Sequence, residues 1–136
     1  MKSIIVPAVQ DELDKVRDFV NEELEQFDCS AKARFQMEVA VEEIFVNIAS
    51  YAYSPDVGDA TVTCEVSDDT LVASVTFADG GKPFDPLAKT DADISADALL
   101  EREGGLGILM TKKMMDEVSY SYENGKNILT IRKNIK

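Results

Sequence analysis

The chain contains no histidine. That absence removes Ser-His-Asp and Cys-His catalysis, phosphohistidine chemistry and nearly all ordinary zinc sites, because each depends on an imidazole that titrates or ligates near neutral pH. Cationic residues are scarce as well: 14 Lys and Arg stand against 26 Asp and Glu, a net charge of −12. A surface this acidic repels phosphate backbones, and no basic stripe with interleaved aromatics offsets it, which argues against direct nucleic-acid binding. The negative excess serves solubility first and leaves room for a partner with a basic face. Only two cysteines occur, Cys29 and Cys64; they are far apart, form no C-x-x-C pair and read as free thiols, small core residues in a reducing compartment. No run approaches the roughly twenty apolar residues of a membrane span, and the opening Met1-Lys2-Ser3-Ile4-Ile5-Val6-Pro7 lacks the apolar centre of a signal peptide. A cytoplasmic protein without membrane association is expected, its chemistry resting on carboxylates, amides, glycines or lysines.

What is present is enough for one domain. With 136 residues, 45% of them hydrophobic, the chain can bury its own core as a single unit over residues 1–136. Lys2 to Val9 is β-rich and broken by Pro7, the spacing from Asp11 to Cys29 is helical, and Ser30 caps a longer helix from Ala31 to Tyr53, stopped by Ser54-Pro55. Ala60 to Glu65 and Leu71 to Ala78 predict two antiparallel strands around Ser67-Asp68-Asp69-Thr70. Gly80 to Gly105 is a polar connection whose length suggests a functional or mobile loop, with a short helix at Ile94 to Leu100. A third helical spacing runs from Ile108 to Val118, and Asn124-Gly125 predicts a hairpin between Ser119 to Tyr122 and Asn127 to Ile131. The order implies an α+β fold: a two-layer α/β sandwich, helices packed on one face of a mixed, largely antiparallel sheet.

Three short blocks are the candidates for chemistry. On the second helix, Met37, Val41, Ile44, Ile48 and Ala52 make a core arc and Phe35, Val39 and Val46 a second apolar arc, with Gln36, Ala40, Glu43 and Asn47 between them. A carboxylate and an amide stacked one turn apart, both partly buried, need a partner or a ligand. The amide oxygen of Asn47 suits Mg²⁺, and Glu43 can take a proton from an attacking hydroxyl or water; a helix that buries Glu43 against a lysine or a backbone amide shows the same pattern. Asp79 closes a strand just before Gly80-Gly81, where a carboxylate can accept from an exocyclic amine such as adenine N6, or simply serve a turn. Gly104-Gly105-Leu106-Gly107 before an amphipathic helix places free N–H groups at a dipole's positive end, the physics of a phosphate site and equally of a hinge. Arg102, in the preceding loop, is a candidate phosphate partner.

In this order, Glu43-Ile44-Phe45-Val46-Asn47, Asp79-Gly80-Gly81 and Gly105-Leu106-Gly107 resemble the N box and the two glycine boxes of the Bergerat-fold ATPases shared by gyrase, the Hsp90 chaperone and histidine kinases. The small size, the opening β-α-α, the run Asp79-Gly80-Gly81-Lys82-Pro83-Phe84-Asp85-Pro86 and the tail Met114-Met115-Asp116-Glu117-Val118 look most like the stand-alone anti-sigma-factor serine/threonine kinases. The resemblance implies ATP and Mg²⁺ as cofactors, Glu43 as general base, Asn47 as Mg²⁺ ligand, Asp79 as adenine reader with Gly81 beneath the base, Gly105, Leu106 and Gly107 around the phosphates, and Leu87 to Glu103 as a lid. It implies a kinase that phosphorylates an anti-sigma-factor antagonist protein, sequesters a sigma factor and forms a homodimer. A nucleotide-gated switch without phosphotransfer shares these boxes, and an acidic α/β interaction domain remains the plainly structural alternative.

Overall fold

The computed structural model describes residues 1–53, 56–85 and 111–136. In chain order the elements are β1 (Lys2–Pro7), a 3-10 turn (Gln10–Glu12), α1 (Leu13–Leu24), α2 (Ala31–Asn47), a π-helical turn continuing it (Ile48–Ala52), β2 (Asp59–Val66), β3 (Val72–Asp79), β4 (Glu117–Glu123) and β5 (Lys126–Asn134). The strands form one sheet in the order β1-β2-β3-β5-β4, every neighbouring pair antiparallel. Alternation decides its two faces: Ala60, Val62 and Cys64 of β2 and Ala73, Val75 and Phe77 of β3 are buried, while Thr61, Thr63, Ser74 and Thr76 point the other way.

On the buried side the sheet meets Val16, Val20 and Leu24 of α1 and Met37, Val41, Ile44 and Phe45 of α2. The core arc read from the sequence, Met37 through Ala52, is buried throughout. The second arc is not: Phe35 is 65% exposed, and Val39 and Val46 are half-buried. A helix lying on a flat sheet can bury only one broad stripe, so the second arc of α2 faces outward.

Element ends differ from expectation where tertiary contacts intervene. The first helix stops at Leu24 rather than Cys29, since the chain must leave its axis for the Ser30 N–H to reach the Ile135 carbonyl at 2.7 Å. Ser30 does cap α2, accepting from the Ala33 N–H at 3.1 Å. The helical run then reaches Ala52 through a widened last turn instead of continuing as regular α-helix to Tyr53. Val118, expected on a helix, belongs to β4 opposite Ile131, because Asp116 N–H already bonds the Arg132 carbonyl at 3.0 Å and starts the ladder. The hairpin signal holds, with Asn124 and Gly125 at φ 54 and 78 as the favoured two-residue turn requires. The expected helix at Ile94 to Leu100, its flanking lid, the stop at Ser54-Pro55 and the start of the third helix at Ile108 lie outside the described residues.

Both cysteines are free thiols, Cys64 buried and Cys29 half-buried. Burial, with the Glu23 charge adding to it, pushes the Cys64 thiol up to about 12. The unfolded thiol ionises near its ordinary value of about 8.5 to 9 while the folded one keeps its proton. This group's contribution is therefore complete below that value and is lost between about pH 9 and 12. Urea unfolding at pH 8 and pH 10 should show a stability loss of which about 1 kcal/mol disappears in Cys64→Ala.

Candidate functional site

The last residue of β3 is Asp79, 6% exposed on the helix-facing side of the sheet. Beyond it the chain turns onto the end of the α2 run, where the Lys82 N–H donates to the Ala52 carbonyl at 2.9 Å. Gly81 crosses that carbonyl so closely that a Cβ would stand 2.2 Å from the Ala52 oxygen, a distance no side chain tolerates. Its bare backbone is therefore a packing requirement. Ala52 closes the π turn that follows Asn47 directly, so Asp79 and Gly81 sit at the same end of α2 as the buried Asn47. Glu43, half-buried, lies one turn further back on the same side of that helix.

The loop after β3 is clamped from both flanks. From β5, Asn127 donates through Nδ2 to Asp79 Oδ1 at 3.0 Å and to the Lys82 carbonyl at 2.8 Å. Its Oδ1 accepts from the Phe84 N–H at 3.0 Å and from the Tyr120 hydroxyl. The four bonds specify the amide's orientation completely. Tyr120 stays a donor, since partial burial raises its pKa above the ordinary value of 10 and the charges of Asp85 and Asp79 add to that shift. On the opposite flank Tyr53, just past the π turn, accepts from the Gly80 N–H at 2.7 Å and donates to the Asp59 carbonyl at 2.6 Å. Its ring lies over Gly58, where a Cβ would come within 2.3 Å of it.

These bonds divide the carboxylate of Asp79. Oδ1 accepts from Asn127 and from the Gly81 N–H at 2.9 Å, which leaves Oδ2 as the oxygen available to a ligand's amino group. Gly81 beside it is packed against Ala52, so the backbone there carries no side chain that could compete for that oxygen. In acceptor chemistry the carboxylate suits an exocyclic amine such as that of adenine. For a divalent ion the fit rests on donor chemistry: Asn47 offers a hard amide oxygen, and no group of three or more His, Cys, Asp or Glu suited to a metal occurs among the described residues.

Of the residues read from the sequence, Asp79 and Gly81 meet at this junction, Asn47 ends α2 just before the π turn and Glu43 lies one turn further back; Arg102, Gly105, Leu106 and Gly107 lie outside the described residues. Asn127, Tyr120 and Tyr53 were missed. Asn127 carried a signal, because it shares the strand parity of the buried Leu129 and Ile131, and an amide on the apolar side of a strand needs partners.

The model of the histidine kinase-like ATPase domain family matches residues 6–133. The chain belongs to that family. It is 29% identical over 97 residues to a serine-protein kinase RsbW of Bacillus cereus, covering 68% of this chain and 59% of that protein. A serine-protein kinase RsbW of Listeria monocytogenes is 29% identical over 105 residues, covering 74% of this chain and 66% of that one. The chain thus spans about three-fifths of the length of the Bacillus relatives. In solved structures the fold recurs in the RsbU and RsbW domains of Rv1364c from Mycobacterium tuberculosis, with a TM-score of 0.65 at 14% identity over 99% of this chain and 33% of that one. It recurs also in the Acinetobacter baumannii histidine kinase AdeS, with a TM-score of 0.53 at 15% identity, covering all of this chain and 70% of that one. These likenesses establish the ATPase-type α+β architecture. No helix among the described residues is long and apolar enough to cross a membrane.

The two glycines of the loop should respond differently to the same change. A Cβ on Gly80 meets nothing nearer than the Tyr53 hydroxyl at 3.5 Å, so Gly80→Ala should alter unfolding free energy by less than about 0.5 kcal/mol. Gly81→Ala has to push the loop off Ala52 and should cost upwards of about 2 kcal/mol. Urea titrations of the two variants check the contrast.

Proposed function

We propose that this domain binds Mg-ATP at the junction of α2 and the loop after β3 and acts as a regulatory serine/threonine protein kinase of the anti-sigma-factor type. The observation that carries the nucleotide reading is the buried Asp79 carboxylate at the end of β3, Oδ1 engaged by Asn127 and Gly81 and Oδ2 by none of the described hydrogen bonds. Family membership and the similarity to serine-protein kinases RsbW support the step from nucleotide binding to phosphotransfer. Location in the cytoplasm, where sigma factors act, and a homodimeric state belong to the same reading.

In this reading Asp79 Oδ2 accepts from the adenine amino group and Gly81 lies under the ring. Asn47 supplies an oxygen to Mg²⁺, while Gly105, Leu106 and Gly107 offer backbone N–H groups and Arg102 a guanidinium to the phosphates. Bound Mg-ATP supplies the phosphoryl group and, through the ion, neutralises charge on the departing ADP. Glu43 takes the proton of the acceptor serine as its oxygen bonds to the γ-phosphorus and the bond to the bridging oxygen breaks. The acceptor is a serine of an anti-sigma-factor antagonist protein, and the domain holds a sigma factor when that antagonist is absent.

Calorimetry should detect Mg-ADP binding to the wild type, and Asp79→Ala should weaken it by more than about tenfold, the loss expected for a buried hydrogen bond to a charged group. Glu43→Gln should leave that binding within about twofold while lowering transfer of labelled phosphate from ATP to the antagonist by at least about a hundredfold. Nucleotide binding without transfer by the wild type would reduce the domain to a nucleotide-gated switch. No binding at millimolar nucleotide would overturn the site itself.

A further inference from the structure

The arc of α2 that the sheet leaves uncovered has a chemistry of its own. Phe35, Val39 and Val46 fall within one narrow strip at about 100° of rotation per residue, with Phe35 65% exposed and the valines half-buried. A lone exposed apolar residue is ordinary, whereas an exposed aromatic continued along a rigid helix by two half-exposed valines offers a longer apolar contact surface. Beyond exposed Lys32, which stands one turn before Phe35 at the strip's first end, the rim is acidic. Glu38 and Glu42 line one edge with side chains 37% and 46% exposed, and Glu43 lies along the other. Arg17 does little to neutralise them, since it holds Asp14 at 2.6 Å and reaches Glu38 and Glu42 only at 3.8 and 3.9 Å, separations at which partly exposed pairs contribute little.

An apolar strip between carboxylates, on a chain of net charge −12, is complementary to a helix whose apolar ridge is flanked by lysine or arginine. A second copy of this chain is the wrong occupant, because pairing two such strips would set carboxylates against carboxylates. We propose that the Phe35–Val39–Val46 strip docks a basic amphipathic helix of a partner protein, laying it along α2 beside Glu43. Val39 stands one turn before Glu43 and Val46 one turn after it, so a helix seated on the strip passes directly by that carboxylate. In this respect the inference rests on the proposed role of Glu43 and extends it, locating where the protein partner is held. Anchoring energy comes from Phe35, the largest apolar group on the strip, and orientation from the glutamates.

The test titrates the full chain, with and without Mg-ADP, into a labelled model helix of about five turns carrying a leucine ridge flanked by lysines, followed by anisotropy. The same helix with glutamates in place of lysines is the control ligand. The expected result is saturable binding of the lysine helix only, weakened at least about fivefold by Phe35→Ala and at least about threefold by Glu42→Gln. Asp18→Asn and Glu22→Gln, exposed acids of α1, should change it by less than about twofold, and Phe35→Ala should leave Mg-ADP affinity unaltered. Phe35→Ala without effect, or α1 variants as damaging as Glu42→Gln, would overturn the proposal by reducing the attraction to general charge. So would a shift from dimer to monomer in Phe35→Ala by sedimentation, which would make the strip a self-interface. Failure of Mg-ADP binding with the helix result intact would remove the catalytic reading of Glu43 and leave the docking surface standing.

Discussion

Beyond the shared core, the polar ends of α2 and β3 are brought together where the backbone of Gly81 passes over the carbonyl of Ala52. α2 carries Glu43 and Asn47 on the helical layer, and β3 carries Asp79 in the sheet; a candidate site exists only because the chain after β3 climbs onto the end of the helix. The last carbonyls of a helix have no internal donor, and here the Lys82 N–H satisfies that of Ala52 at 2.9 Å. A side chain at position 81 would abolish this approach by occupying the space of the carbonyl. The widening of the final helical turn occurs at the same place, in keeping with the tendency of π turns to accompany functional positions.

Around that contact the polar groups form a closed network instead of a set of separate bonds. Asn127 reaches from β5 to Asp79, Lys82 and Phe84, and Tyr53 from the helical side to Gly80 and Asp59. Buried polar groups are costly when unpaired and reinforce one another when paired. The loop is thereby held in place by both layers of the sandwich, and the carboxylate at its start is presented with one oxygen already engaged. Such cross-bracing fixes the loop and the Asp79 carboxylate through the protein's own bonds.

A single helix performs three tasks through its three stripes. One stripe of α2 fills the core, the next carries Glu43 and Asn47, and the third leaves Phe35 outside beside glutamates. The acidity of the chain, neutral in its effect on fold, becomes specific on that third stripe, where it borders an apolar surface. α1 is acidic too, yet its exposed carboxylates border no comparable strip.

Much of the architecture was legible because the signals are local. Strand alternation, the core arc of α2, the Ser30 cap and the Asn124-Gly125 turn are each set by residues a few positions apart, and each occurs where periodicity predicts it. The candidate groups rest on the same kind of signal: a carboxylate and an amide one turn apart, and an aspartate before two glycines, are short-range patterns. What periodicity could not supply was covering and partnership. Whether the arc holding Phe35 is buried depends on how many surfaces are available to α2, and the sheet provides one. That Asn127 binds Asp79, or that residue 81 must lack a side chain because of Ala52, depends on strands and helices far apart in the chain meeting at one end of the sandwich. The amino acids by themselves determined the faces of each element and the chemistry they carry; only the packing of the layers decided which faces meet, since a contact's energy exists only once both partners are in place.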